Sequence, residues 1–502
     1  MNLTRYCLSN AAPAPGDVAL ELVGPGGAAL ETWTYGRLED TILRVAGGLR
    51  RLGLSQGDRI LVRIGHSCDF PLVFFGAMAG GFVPVPSSSL LTPAECDLIL
   101  ADSGAVLVVH DGATALPADR PGVRFLGPDG LAALRQGPPA AYAQTGAEDP
   151  AFLIYTSGTS GYPKGVLHAH RAARGRRPMG RGWYGLQRQD RLLHAGAFNW
   201  TYTLGVGLMD PWANGATSLV YDGPRDPQVW PDVLAGSRAT LFAAVPSLYR
   251  RILKYGEVTP AAFPALRHGL TAGEALPAAL HGEWLRRSGR PLYEALGMSE
   301  ISTYVSSGPE VSTRPGSPGK PQAGRRVAVL AEDGEGSAPL PPGSTGLLAV
   351  HRSDPGLMLG YFGRPAETAA AFRGDWFLTG DRARFDAEGY LWYEGRADDV
   401  MNAFGYRVAP EEVERVLAAH PAVAEVAVTT VRPASDASAG TGVELIAAFV
   451  VPRDGMTVGE AELADHAARG LAEYKRPKLW RLVAELPRTA SGKIQRRRLQ
   501  DS

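Results

Sequence analysis

YTSGTSGYPKGV, residues 155–166, follows a short apolar run, Ala151-Phe152-Leu153-Ile154, that reads as a buried strand. A strand running into a glycine-rich loop leaves a row of backbone N–H groups unpaired, and such a concavity binds anions, phosphate above all. Thr156, Ser157, Thr159 and Ser160 add hydroxyl donors, and Lys164 adds a point charge for phosphate oxygens. Gly158, Gly161 and Gly165 let the backbone approach a ligand with no Cβ in the way. Turn composition alone would allow a plain surface loop, but an ordered run ending in Pro-Lys-Gly carries more than that. The pattern differs from the common nucleoside-triphosphatase loop, in which Lys directly follows Gly and precedes Ser or Thr. Here Tyr162 and Pro163 separate Gly161 from Lys164.

The chain has 502 residues, too many for one core, so several lobes are expected. Hydrophobic residues at 45% and charged residues at 20% are ordinary for a soluble globular protein. Lys plus Arg and Asp plus Glu are 51 each, so no net field points to nucleic acid or to a membrane surface. Cys7, Cys68 and Cys96 are scattered, without metal or disulfide spacing, as in a reducing cytosol. The start, MNLTRYCLSN, lacks the apolar core of a signal peptide, and no apolar run reaches the roughly 18 residues of a membrane span. These features predict a cytoplasmic protein with no membrane insertion and no nucleic-acid partner.

From 33 to 110 the pattern alternates between helical and strand periods. Leu38, Ile42, Val45, Leu49 and Leu52 mark a helix opened by Trp33-Thr34-Tyr35. Arg59 to Val62, 82–86 and 105–109 read as strands, and 69–81 as a second helix. Such alternation implies a mostly parallel sheet covered by helices. Six arginines between 168 and 188 read as a basic helix face, either solvated surface or a docking patch for phosphates. Residues 239–245 form an apolar strand ending at Pro246. After 396 the pattern breaks, and Pro410-Glu411-Glu412 opens a helix with acids at its positive end. Strands at 423–430, 445–451 and 479–483 and a helix at 460–471 then make an α+β unit of about a hundred residues.

Residues 155–166 resemble the phosphate-binding signature of the adenylate-forming superfamily, which holds the acyl-CoA synthetases, luciferase-like enzymes and the adenylation domains of peptide synthetases. The resemblance extends from about 33 to 493 through Leu270-Thr271-Ala272-Gly273-Glu274-Ala275, Leu296-Gly297-Met298-Ser299-Glu300, Thr379-Gly380-Asp381, Gly395-Arg396 with Asp398, and Ser491-Gly492-Lys493. It implies an α/β fold with a large N-terminal domain of stacked subdomains (1–397) and a small mobile α+β domain (398–502). The implied substrates are ATP, CoA and a carboxylic acid, with Mg²⁺ as cofactor. Thr156, Ser157, Gly158, Thr159, Ser160, Gly161 and Lys164 would hold phosphates. Gly273, Glu274, Ala275, Gly297, Met298 and Ser299 would border the nucleotide, and Glu300 would help hold Mg²⁺. Asp381, at a strand end, would bind the ribose hydroxyls, and Arg396 and Arg407 would contact phosphate. Leu296 stands where many relatives carry an aromatic residue.

The resemblance makes Lys493 the catalytic cation, inserted between the carboxylate and the α-phosphate, and Asp398 the hinge that swings it away. Gly405 and Tyr406 would then flank the pantetheine arm of CoA. Nine Lys or Arg between 475 and 498 also fit a nucleic-acid surface, but the Ser-Gly-Lys match favours catalysis. Phe198, Asn199, Trp200, Tyr202, Val245 and Met298 are expected to wall a largely apolar acid pocket, although aromatics this dense also serve as plain core. The expected acid is a small aromatic, alicyclic or short- to medium-chain aliphatic carboxylate. The alternative acceptor is a carrier protein loaded by a stand-alone adenylation enzyme, and the sequence leaves a homodimer open.

Overall fold

Thr34 accepts the backbone N–H of Arg37 and so caps the helix Tyr35–Arg51, whose Leu38, Ile42, Val45, Ala46 and Leu49 are buried. That stripe packs on Asp69–Gly80, a helix apolar on all sides and buried on nearly all, which Gly81 ends in the left-handed conformation at φ 84°. The structure, a computed structural model, describes residues 1–156, 163–274, 276–332, 336–396, 401–403, 406–408, 410–431, 444–453, 455–487 and 496–500. Both helices lie beside a parallel sheet of Val83–Pro86, Arg59–Arg63, Leu107–His110 and Arg124–Leu126.

A second sheet of nine strands is mixed. Its six central strands are parallel, in the order Leu292–Met298, His268–Ala272, Leu241–Ala244, Arg191–His194, Thr217–Tyr221 and Val18–Val23. Antiparallel strands close both edges, Ala29–Thr34 on one side and Ser302–Ser306 with Lys320–Pro321 on the other. A third, antiparallel sheet is built on Trp376–Phe385, which pairs with Gly346–His351 and with Leu391–Arg396. The fold is therefore the mixed α/β architecture expected, with a large N-terminal domain and a smaller C-terminal one, although antiparallel pairing is more extensive than the alternation predicts.

The C-terminal unit has its own core. Val423–Val431, Leu445–Pro452 and Leu479–Leu482 form one sheet. The alternating residues Val426, Val428, Ile446, Ala448 and Val450 face the helices Pro410–Ala418 and Glu460–Gly470 and the hairpin Met401–Ala403/Tyr406–Val408. Ala427, Ala447 and Phe449 face the other way, against Leu486 and Leu499. Arg496 is not a free surface cation: it pairs with Glu414 at 2.9 Å. No helix among the described residues is long and apolar enough to cross a membrane, and Cys7, Cys68 and Cys96 are buried free thiols.

Candidate active site

The two ends of the glycine-rich stretch lie in paired antiparallel strands. Pro150–Thr156 pairs with Lys164–Ala169 in the register Ile154↔Val166, Tyr155↔Gly165 and Thr156↔Lys164. The second strand replaces the start of the basic helix face expected from 168. Ser157, Gly158, Thr159, Ser160 and Gly161 lie outside the described residues, but both ends of the stretch are tied down. The Tyr155 hydroxyl donates to Asp102 Oδ2 at 2.6 Å. Arg364 donates to the Pro163 carbonyl at 3.2 Å and to Asp102 Oδ1 at 3.3 Å. Lys164 pairs with Glu367 at 2.6 Å, and that hydrogen bond holds the Glu367 carboxyl below the usual carboxylate range. The Lys164 charge is thus engaged within the hairpin frame.

Four of the six arginines of 168–188 pair with single acids, while Arg174 and Arg177 are exposed. Arg176 is buried and forks onto Asp210 through Nε at 2.8 Å and Nη2 at 2.7 Å. Its guanidinium lies where a Cβ on Gly205 would fall, 1.9 Å away, so only glycine fits there. Arg171 pairs with Glu148, Arg181 with Glu310 and Arg188 with Asp17.

The next segment turns between antiparallel strands. A Cβ on Gly297 would come within 2.6 Å of the Ser302 carbonyl oxygen, so the close approach of Leu292–Met298 to Ser302–Ser306 requires glycine. The Ser299 carbonyl accepts from His168 Nε2 at 2.8 Å and the Glu300 carbonyl from the Met358 N–H at 2.8 Å, which fixes the turn. Glu300 Oε1 accepts from the Tyr361 hydroxyl at 3.0 Å, whereas Oε2 is buried with no partner among the described residues. A buried unpaired carboxylate oxygen suits a divalent cation. Mg²⁺ needs only one or two protein carboxylates when phosphate oxygens and waters complete its shell.

Glu274 is engaged elsewhere: it caps the helix Pro246–Tyr255, accepting the Ser247 N–H at 3.0 Å and its hydroxyl at 2.9 Å. Gly273 has φ 92° and meets the Val245 side chain. Ala275 lies outside the described residues, and the next N–H, of Leu276, is held by Glu294 Oε1 at 3.0 Å. Burial raises the Glu294 carboxyl to about 7. Sequence reasoning missed Glu294, which sits in an unremarkable strand letter pattern.

Asp381 is buried in the middle of the ten-residue strand Trp376–Phe385, not at a strand end as expected. Gly380, at φ 76°, bends the strand just before it, and the Tyr393 hydroxyl donates to Asp381 Oδ1 at 3.4 Å. The backbone of Arg396 lies opposite Asp381 in the ladder. The side chains of Arg396 and Arg407 lie outside what the structure describes, as do Asp398, Gly405 and Lys493.

A cavity of about 190 Å³ lies between the two domains. Thr156, Asn199, Trp200, Tyr202, Gly273, Gly297, Met298 and Ser299 line it from the large domain, and Tyr406 from the C-terminal one. Phe198 departs from expectation: its ring stacks between His66 and Phe70 at 4.8 and 4.7 Å and belongs to the core. Val245 stands behind Gly273 and is not on the wall. The wall also holds Ser87, Ser302, Thr303, Tyr474 and Lys475, none of them read as site residues from the sequence. Tyr406 meets Trp200 edge-on at 4.8 Å and stacks on Tyr474 at 3.9 Å. Lys475 bonds Glu95 at 2.9 Å and Glu412 at 2.6 Å, all three side chains being nearly fully buried. The one signal for these contacts was an aromatic–lysine pair placed between a helix and a strand.

A family model described as AMP-binding enzyme matches residues 9–362, and one described as AMP-binding enzyme C-terminal domain matches residues 412–493. The chain is 33% identical to 3-hydroxybenzoate–CoA ligase of Aromatoleum sp. (strain CIB), over 93% of this chain and 91% of that one. An o-succinylbenzoate CoA synthetase of Bacillus subtilis, bound with its product analogue OSB-NCoA, superposes with a TM-score of 0.85 at 26% identity, covering 99% of this chain and 98% of that one. ATP-bound MatB from Rhodopseudomonas palustris gives 0.72 at 28% identity, covering 100% and 99%.

Proposed function

The chain belongs to the AMP-binding enzyme family and is an AMP-forming acyl-CoA synthetase; from that premise we propose that it activates a small carboxylic acid, an aryl acid foremost, and passes the acyl group to CoA. The observation that carries this reading is a cavity walled by Asn199, Tyr202 and Gly297 on one domain and Tyr406 on the other.

A carboxylate acylates poorly because its oxygen leaves as oxide. In the first step a carboxylate oxygen attacks the α-phosphorus of ATP, the bond to the β-phosphate oxygen breaks, and pyrophosphate leaves. Two anions must approach, so the chemistry is governed by charge neutralisation. Lys493 bridges carboxylate and α-phosphate, and the 157–161 loop, held at its feet by Asp102 and Arg364, cradles the outer phosphates. Bound Mg²⁺ would supply further neutralisation there, with Glu300 Oε2 as its protein oxygen. Asp381 holds the ribose.

In the second step the CoA sulfur attacks the acyl carbon, the bond to the AMP oxygen breaks, and the thiol proton passes to solvent. Lys493 must vacate that approach, which a rotation of residues 398–502 about Asp398 accomplishes. Three features support the described arrangement as the thioester-forming one. The hairpin of Tyr406 abuts the cavity, while Leu486 and Leu499, which flank the Lys493 segment, pack on the opposite face of the C-terminal sheet. The TM-score is also higher against the OSB-NCoA complex than against ATP-bound MatB. Buried free cysteines fit a cytoplasmic setting.

The test is pyrophosphate release over a panel of carboxylic acids, with and without CoA, with thioester followed by mass spectrometry. Lys493→Ala should abolish acid-dependent ATP–pyrophosphate exchange yet form thioester from supplied acyl-adenylate. Exchange that survives this substitution would remove Lys493 from the mechanism.

A further inference from the structure

Five buried polar atoms without a partner among the described residues gather around the acid pocket: His66 Nε2, His194 Nε2, Asn199 Oδ1, Tyr202 OH and Thr203 Oγ1. They are close in space. The Tyr202 ring meets the His194 ring edge-on at 4.3 Å, and His66 stacks on Phe198, the neighbour of Asn199, at 4.8 Å. A Cβ on Gly196 would touch both Thr203 Oγ1, at 2.6 Å, and His194 Cε1, at 2.7 Å. Asn199 and Tyr202 line the cavity itself.

The His194 tautomer follows from one hydrogen bond. The Gly196 N–H donates to His194 Nδ1 at 2.8 Å, so Nδ1 carries the lone pair and the ring proton sits on Nε2, where it meets no acceptor. Buried polar groups are normally satisfied, and a cluster that is not marks a place where a ligand or water completes the set. A wholly apolar acid filling this pocket would strip such water and leave the groups orphaned.

Resting on the acid–CoA ligase reading above, we propose that the acid bears a neutral hydrogen-bonding substituent, a hydroxyl or amino group, received by Tyr202 and Asn199, with His194 and Thr203 as positioning residues behind them. A second carboxylate is the poorer fit. Burial pushes both His66 and His194 down to about 3, so neither offers a cation. Lys475, the one cation on the wall among the described residues, is engaged by Glu95 and Glu412, and Arg225, whose charge acts on His66 and Tyr406, is not on the wall. The wall stays largely apolar, as expected, and these few polar atoms are set into it.

The test compares matched acids in the full chain: benzoate with 3-hydroxy-, 4-hydroxy- and 3-aminobenzoate and with isophthalate, and hexanoate with 6-hydroxyhexanoate. At least one hydroxyl or amino acid should exceed its parent in kcat/KM by about tenfold or more. Tyr202→Phe should cut that ratio about fivefold or more, and Asn199→Ser, an independent variant, should cut it as well. A parent acid or isophthalate that outperforms every substituted partner, or a ratio unmoved in both variants, would overturn the inference while the ligase reading stands. Pyrophosphate release with none of the acids would overturn the acid class on which the inference rests, and the inference with it.

Discussion

Lys475 Nζ reaches from the C-terminal domain to within 2.9 Å of Glu95 Oε1 on the large domain, and the pair is buried from solvent. Burial pulls the Lys475 pKa down, but Tyr474 and the carboxylates of Glu412 and Glu95 outweigh it and hold the ammonium above the ordinary lysine value. Breaking one partner of a buried pair costs about 3–5 kcal/mol, because a charge is left uncompensated. Lys475→Met leaves two buried carboxylates facing each other across the domain contact. The expected outcome is thioester formation from preformed acyl-adenylate slowed about tenfold or more, with ATP–pyrophosphate exchange within about threefold of wild type. Half-reaction kinetics check it. Equal loss in both steps would show that the pair serves folding and not domain orientation.

Glu294 gives a pH signature. Its folded pKa, raised to about 7 by burial, lies above the ordinary value of 4.5. The contribution of this group to stability is therefore fully present below pH 4.5 and is lost as pH rises toward 7, at a cost of up to about 3 kcal/mol. Glu294→Gln keeps an acceptor for the Leu276 N–H and removes the charge. Its melting temperature relative to wild type should therefore rise between pH 4.5 and pH 7.5. A difference independent of pH would exclude the titration.

Tyr361 fixes the carboxylate of Glu300 from behind. Removing such an outer hydroxyl weakens metal binding by about 10–100-fold in comparable sites. In a Mg²⁺ titration of pyrophosphate release, Tyr361→Phe should shift the half-saturating Mg²⁺ upward, and Glu300→Gln should shift it further. An unchanged titration in Glu300→Gln would remove that residue from the metal site.

Gly205→Ala should destabilise the large domain by about 1–3 kcal/mol, since the new methyl falls on the Arg176 guanidinium. Thermal unfolding reads this directly, and an unchanged melting temperature would show that Arg176 leaves that space without cost.

The C-terminal unit was largely legible. Pro410 with its acids gave a helix start, and the strands at 423–431 and 445–452 and the helix Glu460–Gly470 fall within a few residues of their expected bounds. Here the periods are clean because each element buries one face. The glycine-rich stretch reads as an anion loop after a buried strand. Its return strand Lys164–Ala169 was hidden by the arginines that follow, most of which prove to be structural partners of single acids. Thr-Gly-Asp looks like a turn and so suggests a strand end at Asp381, whereas Gly380 only bends a continuing strand. In the sequence Lys475 is one of nine basic residues, and composition does not reveal which cation two distant carboxylates will enclose.

The helix Pro93–Ser103 carries a contact at each of its ends. Near its start Glu95 receives Lys475, and near its end Asp102 receives Tyr155 and Arg364. At 1.5 Å per residue the two acids stand about 10 Å apart on one stiff rod. Were the Lys475 contact to break, the element that braces Tyr155 and Arg364 would lose one tether, so the proposed swing of the small domain would also bear on the feet of the proposed phosphate cradle.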